Sequence, residues 1–333
     1  MSHLTYLEAS VVGLIQGVTE LFPISSLGHN VLIPALIGGS WASDLNVAKA
    51  ESPYLAFIVG LHVATAIALL IYFWQDWIRI ITGFFTSIRD RRVQTTDQKL
   101  AWMIILATIP VGLVGLAFEH EFRVLFGKPI RAAIFLLING VILFAGEKFR
   151  TRASLKADAE LAESRERAAD RGTGSGPAER TTASHASGQR AVRQLEHSRA
   201  MQADERLAAA GYLRAVVIGC AQILALLAGI SRDGVTMVAG MARGLSREDA
   251  ARFAFLLATP VILAAGVLKI PDLTGNLAKG IQGQIVVGSV LSGIGAYLSV
   301  RFLVKYFQTR TLTPFAIYCI LFGLGSVIYL SVK

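Results

Sequence analysis

The chain has 333 residues, 53% of them hydrophobic and 17% charged, with a formal charge of +9 and a mean hydropathy of +0.54. A soluble domain of that length carries about 25% charge, so the composition excludes an ordinary water-soluble enzyme and points to a polytopic helical membrane protein. The basic excess forms no stripe interleaved with aromatics, which argues against nucleic acid as a partner. The two cysteines, Cys220 and Cys319, make no CxxC pair for a metal knuckle or a redox centre.

In chain order, the first apolar run covers about 4–22. It lacks a basic n-region and a small-residue cleavage site, so it reads as a structural helix rather than a removed leader. It ends at Pro23-Ile24-Ser25-Ser26. Membrane-length runs follow at 54–75, 100–118 and 130–147, with a basic loop at 76–99 between the first two. Residues 148–212 are rich in Lys, Arg, Glu, Ala, Ser and Gly and are expected to form a polar, largely disordered insert whose flanks, 153–170 and 190–210, could be transiently helical. A second broken segment covers 213–245, and further spans lie at 250–270, 283–304 and 313–331. The basic residues of 76–99 and of the insert put both on the cytoplasmic side, leaving 39–53 and 119–129 outside.

Two stretches resemble one another. Residues 13–28 and 219–234 align without a gap with six identities in sixteen positions: Gly13/Gly219, Gln16/Gln222, Leu21/Leu227, Ile24/Ile230, Ser25/Ser231 and Gly28/Gly234. Interrupted apolar helices at corresponding places in two halves are the sequence mark of an inverted repeat with its site at the breaks. The fold expected is an all-α integral membrane protein, a polytopic helical bundle with an inverted-topology repeat. Its parts are a first membrane repeat at 1–147, the insert at 148–212 and a second repeat at 213–333. The segments 4–38 and 213–245 would be re-entrant helix–break–helix hairpins entering from opposite faces.

Chemistry concentrates at the breaks. Gln16 and Glu20 share a helix face, and a carboxylate in an apolar helix usually marks a pathway or site. Ser25, Ser26 and His29 offer hydroxyls and a titratable base within one turn, as an activated nucleophile requires. The second break, with Gly229, Ser231, Arg232, Gly234 and Thr236, combines hydroxyls, an arginine and a helix N-terminus near Gly234, which together suit an anion. The competing reading of Arg232 is a salt bridge to Asp233 or Glu20. His62 reads as a packed core histidine, Glu119, His120 and Glu121 as a solvated helix end, and 314–318 as a helix start.

At Gln16-xxx-Glu20, Pro23-Ile24-Ser25-Ser26 with Gly28-His29, Gly229-Ile230-Ser231-Arg232 with Gly234 and Thr236, Gly244-Leu245-Ser246-Arg247, Phe255-Leu256-Leu257-Ala258 with Pro260, and Pro314-Phe315-Ala316-Ile317-Tyr318, the chain resembles the undecaprenyl-diphosphate phosphatase family. The resemblance covers nearly the whole chain outside 148–212. It implies a phosphatase of the bacterial plasma membrane that converts undecaprenyl diphosphate to undecaprenyl phosphate, recycling the carrier for peptidoglycan synthesis and conferring bacitracin resistance. It also implies a site facing the outer side and a divalent cation, Mg²⁺ or Ca²⁺. By the same resemblance, Glu20, Ser26, His29 and Arg232 are catalytic. Ser231 and Thr236 match the family's phosphate loop. The residues themselves add Ser25, Gly229 and Gly234 as substrate-binding, and a metal held by Glu20 together with Gln16, with Asp233 a candidate third ligand. The nucleophile is Ser26 or His29; a homodimer and a prenyl-phosphate transporter working through the same site are the other readings kept open. The family usually has Pro where Ala228 stands, a small hydroxyl residue where Leu27 stands, and Ser where Asp233 stands. A carboxylate beside a diphosphate either repels it or serves as a metal ligand.

Overall fold

A computed structural model describes the backbone of residues 4–46, 53–126, 128–170, 188–269 and 278–332. It describes the side chains of the same residues except 55, 119–120, 122–126, 152–170 and 188–197. The helices are α1 (Tyr6–Thr19), α2 (Ser26–Ile37), α3 (Gly39–Asp44), α4 (Pro53–Tyr72), α5 (Trp74–Asp90), α6 (Thr96–Phe126) and α7 (Pro129–Asp170). They continue as α8 (Gly188–Ala210), α9 (Tyr212–Ala221) with a 3-10 turn at Gln222–Leu226, α10 (Arg232–Ala242), α11 (Arg247–Leu268), α12 (Gln282–Thr309) and α13 (Thr313–Val332).

Five of these carry stretches long and apolar enough to cross a bilayer: Thr96–Phe118 of α6, Pro129–Thr151 of α7, and α11, α12 and α13. α4 is also apolar along its length and bends by 86° into α5. Large apolar side chains such as Leu113, Leu116 and Leu321 are turned outward. The interior is closed by small residues and by aromatics such as Tyr54, Phe57 and Phe253. This distribution suits a helix bundle whose solvent is lipid.

The short helices matter most. Thr5 caps α1 by accepting the Glu8 amide, and the Glu8 carboxylate returns to the Thr5 amide, a capping box legible as T-x-x-E. Pro23 lacks an amide proton and disfavours helix at Phe22, so α1 stops there and α2 restarts at Ser26. At about 1.5 Å per residue neither half reaches the roughly 30 Å of a hydrocarbon core. α9 and α10 repeat the arrangement around the turn at 227–231. α1 lies along α12 and α9 along α6, while α7 packs on α13 and contacts both α2 and α10.

Two expectations need correction. The basic loop at 76–99 is largely helix α5, whose Trp74, Ile78, Ile81, Phe85 and Ile88 form one exposed apolar stripe. Its interleaved charges lower the average hydropathy and hide that period. Within 148–212, α7 runs on to Asp170 and α8 occupies Gly188–Ala210. Residues 198–210 are packed rather than loose, with Ala203, Asp204 and Leu207 buried. Asp204 accepts from Arg79 and Arg252, and Arg206 makes a two-pronged pair with Asp249 at 2.7 and 2.9 Å. Composition missed this because the partners lie in distant helices. The middle of the insert, 171–187, and part of the 39–53 loop lie outside the described residues, as do the side chains of Glu119 and His120.

Candidate active site

The two breaks touch. Gly28 and Gly229 meet backbone to backbone: a Cβ on Gly28 would sit 2.9 Å from the Gly229 Cα. Gly229 itself has φ +113, and a Cβ there would lie 2.7 Å from the Leu136 amide nitrogen. Only glycine tolerates both conditions at this position.

Ser25 and Ser231, aligned with one another in the sequence, do the same local work. Each caps the helix that follows, the Ser25 hydroxyl accepting from the Gly28 amide at 3.2 Å and the Ser231 hydroxyl from the Gly234 amide at 3.1 Å. Ser25 also accepts from the Gly229 amide at 3.2 Å, which ties the first break to the second. Its φ of 68 is unusual for a residue with a side chain; strain of this kind persists only where the surroundings fix it. Asn139 of α7 makes a second tie, donating to the Pro23 carbonyl and accepting from the Ser231 amide, both at 3.0 Å.

On this frame the polar side chains converge. Glu20 Oε2 accepts from the Gln16 amide at 2.9 Å and from the Ser26 hydroxyl in a short contact. Glu20 Oε1 accepts from Arg232 Nη2 at 2.8 Å. One carboxylate from the first break thus holds both the hydroxyl beside it and the guanidinium from the second break. Gln16 is fixed in turn by Asn30, which donates to it at 2.6 Å. His62, read from sequence as a core histidine, sits 3.5 Å from Glu20 Oε2. A polar residue in an otherwise apolar span was the available signal.

His29 is held differently. Its Nδ1 lies 2.7 Å from the Ser25 carbonyl and its Nε2 2.8 Å from the Tyr318 hydroxyl. A carbonyl can only accept, so Nδ1 carries the proton and in the neutral ring Nε2 accepts from Tyr318. The ring stacks on Tyr318 and Phe322. Nothing in this arrangement joins His29 to the Ser26 hydroxyl; Glu20 is the base that touches it. Tyr318, read from sequence as part of a helix start, is the partner that fixes the imidazole.

At the second break, the Thr236 hydroxyl donates to the Arg232 carbonyl at 2.7 Å, and the Ser231 and Gly234 amides are engaged by Asn139 and Ser231. Ser231, Gly234 and Thr236 therefore shape the start of α10, and Arg232 is the member of the group that reaches across. Asp233 stands out. It is fully buried, its Oδ1 lies 3.5 Å from Arg232 Nε, and neither oxygen accepts a hydrogen bond. Gln222, the counterpart of Gln16, is also buried with both amide atoms unpartnered. Buried polar atoms are nearly always satisfied, so these unpartnered atoms are exceptions among the described residues. For a divalent cation, Glu20 and Asp233 supply the hard oxygens that Mg²⁺ and Ca²⁺ take, and neither oxygen of Asp233 is engaged in a hydrogen bond. Gln16 has its carbonyl oxygen taken by Asn30 and fits better as the group orienting Glu20. Among the described residues no cluster of three or more His, Cys, Asp or Glu side chains gathers in metal-binding geometry.

The sequence profile of the family described as Bacitracin resistance protein BacA matches residues 9–170 and 184–325. The chain belongs to this family. Similar proteins include the undecaprenyl-diphosphatase of Mycolicibacterium paratuberculosis, 56% identical over 333 residues, covering 100% of this chain and 99% of the relative. Undecaprenyl-diphosphatase 2 of Frankia alni is 55% identical over 339 residues, with 97% of each chain covered. Undecaprenyl-diphosphatase 2 of Burkholderia lata is 38% identical over 313 residues, covering 94% and 92%. The BacA match takes in both breaks, so the converging Glu20, Ser26 and Arg232 all lie within the family region.

Proposed function

We propose that this chain hydrolyses undecaprenyl diphosphate to undecaprenyl phosphate and inorganic phosphate, recycling the lipid carrier of peptidoglycan synthesis and so resisting bacitracin. The observation carrying the mechanism is the single Glu20 carboxylate that binds the Ser26 hydroxyl and Arg232 together. Ser26 Oγ attacks the terminal phosphorus while Glu20 takes its proton, the bond to the bridging oxygen breaks, and Glu20 passes that proton to the departing undecaprenyl phosphate. Water, deprotonated by Glu20, then cleaves the Ser26 phosphoester and frees phosphate. Arg232 neutralises charge on the phosphoryl oxygens, as such transfers depend mainly on positioning and charge. His29 holds the Ser25 carbonyl beside the nucleophile. To act as nucleophile itself, it would first have to give up Tyr318.

Charge supports a cation. Glu20 and Asp233 set two carboxyl groups against the one guanidinium of Arg232, where the diphosphate must also sit. Mg²⁺ or Ca²⁺ bound by Glu20 and Asp233, with Gln16 orienting Glu20, would offset charge on the diphosphate. Asp233 is then a ligand rather than a repellent.

The two halves act as an inverted repeat with hairpins entering from opposite faces. The reciprocal packing supports this: Gly13 seats α1 against Gly288 of α12, and its counterpart Gly219 seats α9 against Ala107 of α6. The positive-inside rule turns the site outward. The prenyl chain would lie along apolar helix faces in the bilayer.

The test is phosphate release from undecaprenyl diphosphate by purified protein, with Glu20→Ala and Arg232→Ala alongside. Release by the parent chain that is lost in both variants is the expected result. No release from well-folded parent protein would overturn the assignment.

A further inference from the structure

A cavity of about 1010 Å³ lies at the elbow where α4 turns into α5, bounded also by the end of α8, the start of α11 and the end of α12. It is separate from the breaks. Its volume is at the top of the ~300–1,000 Å³ usual for small-molecule sites. One wall is aromatic, with Tyr72, Phe73, Trp74 and Tyr297.

The charged lining falls into two groups. Arg79 and Arg252 are committed: both bind Asp76 and Asp204, and Arg79 also binds Asp97. Arg199 and Lys305 are exposed and have no hydrogen bond or ion pair among the described residues. Glu248, the other acid of the lining besides Asp76, stands in the first turn of α11, where the helix's own amide end offsets a negative charge. What the cavity leaves unanswered is positive charge beside an apolar wall.

The surroundings identify the medium. The stripe of α5, from Trp74 at 56% to Phe85 at 63% exposure, begins at the cavity. A helix turned 86° from its neighbouring span with such a face lies in the membrane interface. Exposed Ile67 and Ile71 on α4 and Leu298 on α12 add apolar surface to two of the helices that line the cavity. Basic pockets between spans at the headgroup level suit anionic lipid.

We propose that this cavity seats one anionic glycerophospholipid of the adjoining leaflet, its phosphate between Arg199 and Lys305 and its acyl chains along the α4 and α12 faces. The lipid would lock the elbow to the end of α8. The phosphate chemistry alone could come from a free anion, but a lone anion would leave the aromatic wall and the apolar surface uncovered.

The experiment measures lipid retention by native mass spectrometry and thermal denaturation for the parent protein and for Arg199→Gln with Lys305→Gln. Phosphatidylglycerol, phosphatidylcholine and glycerol phosphate are added in turn in a neutral detergent. The expected result is that phosphatidylglycerol is retained and stabilises the parent, while the variant's affinity for it falls about tenfold, as 1.4 kcal/mol would give. Phosphate release in neutral detergent should be unchanged in that variant, which separates loss of lipid from loss of fold. Arg199→Lys with Lys305→Arg should keep the preference. Equal retention of phosphatidylglycerol by the Gln variant overturns the site. So does equal retention of phosphatidylcholine by the parent, or stabilisation reproduced by glycerol phosphate alone.

Discussion

The two breaks share a backbone device and differ in charge. In both, a serine ends an irregular turn, its hydroxyl accepts the amide three residues on, and a glycine stands at that amide. Around this common frame the first break carries Glu20, Ser26 and His29, and the second carries Arg232 and Asp233. At equivalent positions Ser26 faces Arg232, Leu27 faces Asp233 and His29 faces Val235. The division teaches how two turns of like backbone come to carry different charges. The repeated residues build the turns, and the unrepeated ones make each half incomplete without the other. Glu20 has no acidic counterpart at Leu226, and Arg232 none in the first half.

The largest effect that sharpens this contrast is expected at Ser26. Ser26→Ala should lower kcat by at least about 10³ if it is the nucleophile, since losing a positioned acid–base or nucleophilic group typically costs roughly 10²–10⁴. Burst labelling with a radioactive diphosphate checks it; a label that persists in the Ala variant would move the attack to another group. Next is Asp233→Asn, which keeps the volume and removes the charge. We expect the cation concentration for half-maximal activity to rise at least about tenfold, a change of ~1.4 kcal/mol. Mn²⁺ binding followed by electron paramagnetic resonance should weaken in parallel without substrate. Higher activity at low metal in Asp233→Ser would instead mean that the carboxylate repels substrate.

The serines offer an internal comparison of smaller size. Ser231→Ala removes a helix cap and should cost about 1 kcal/mol. Ser25→Ala removes a cap and also strands the Gly229 amide, adding roughly 1–3 kcal/mol. Thermal midpoints should therefore fall further for Ser25→Ala; equal losses would mean the bond between the breaks contributes nothing. The smallest change is expected from Tyr318→Phe, which frees His29 Nε2 but keeps the stack. A fall in activity of less than about tenfold fits a net hydrogen-bond worth of ~0.5–1.5 kcal/mol.

Sequence alone determined the membrane class, the positions of the main spans and the pairing of the two interrupted motifs. Apolar runs, Pro23 and the Gly and Ser spacings act over a few residues and so can be read locally. It also singled out Glu20, Ser26, His29 and Arg232, because polar groups are conspicuous in apolar helices. What only the tertiary structure decided is who touches whom. Glu20 rather than His29 holds Ser26; Asn139 and Tyr318 serve the site from α7 and α13; His62 approaches Glu20; and Asp204 is buried between arginines of two other helices. These are contacts between residues up to 289 positions apart. Burial and hydrogen bonding at such separations depend on how helices pack, which local composition and periodicity do not encode.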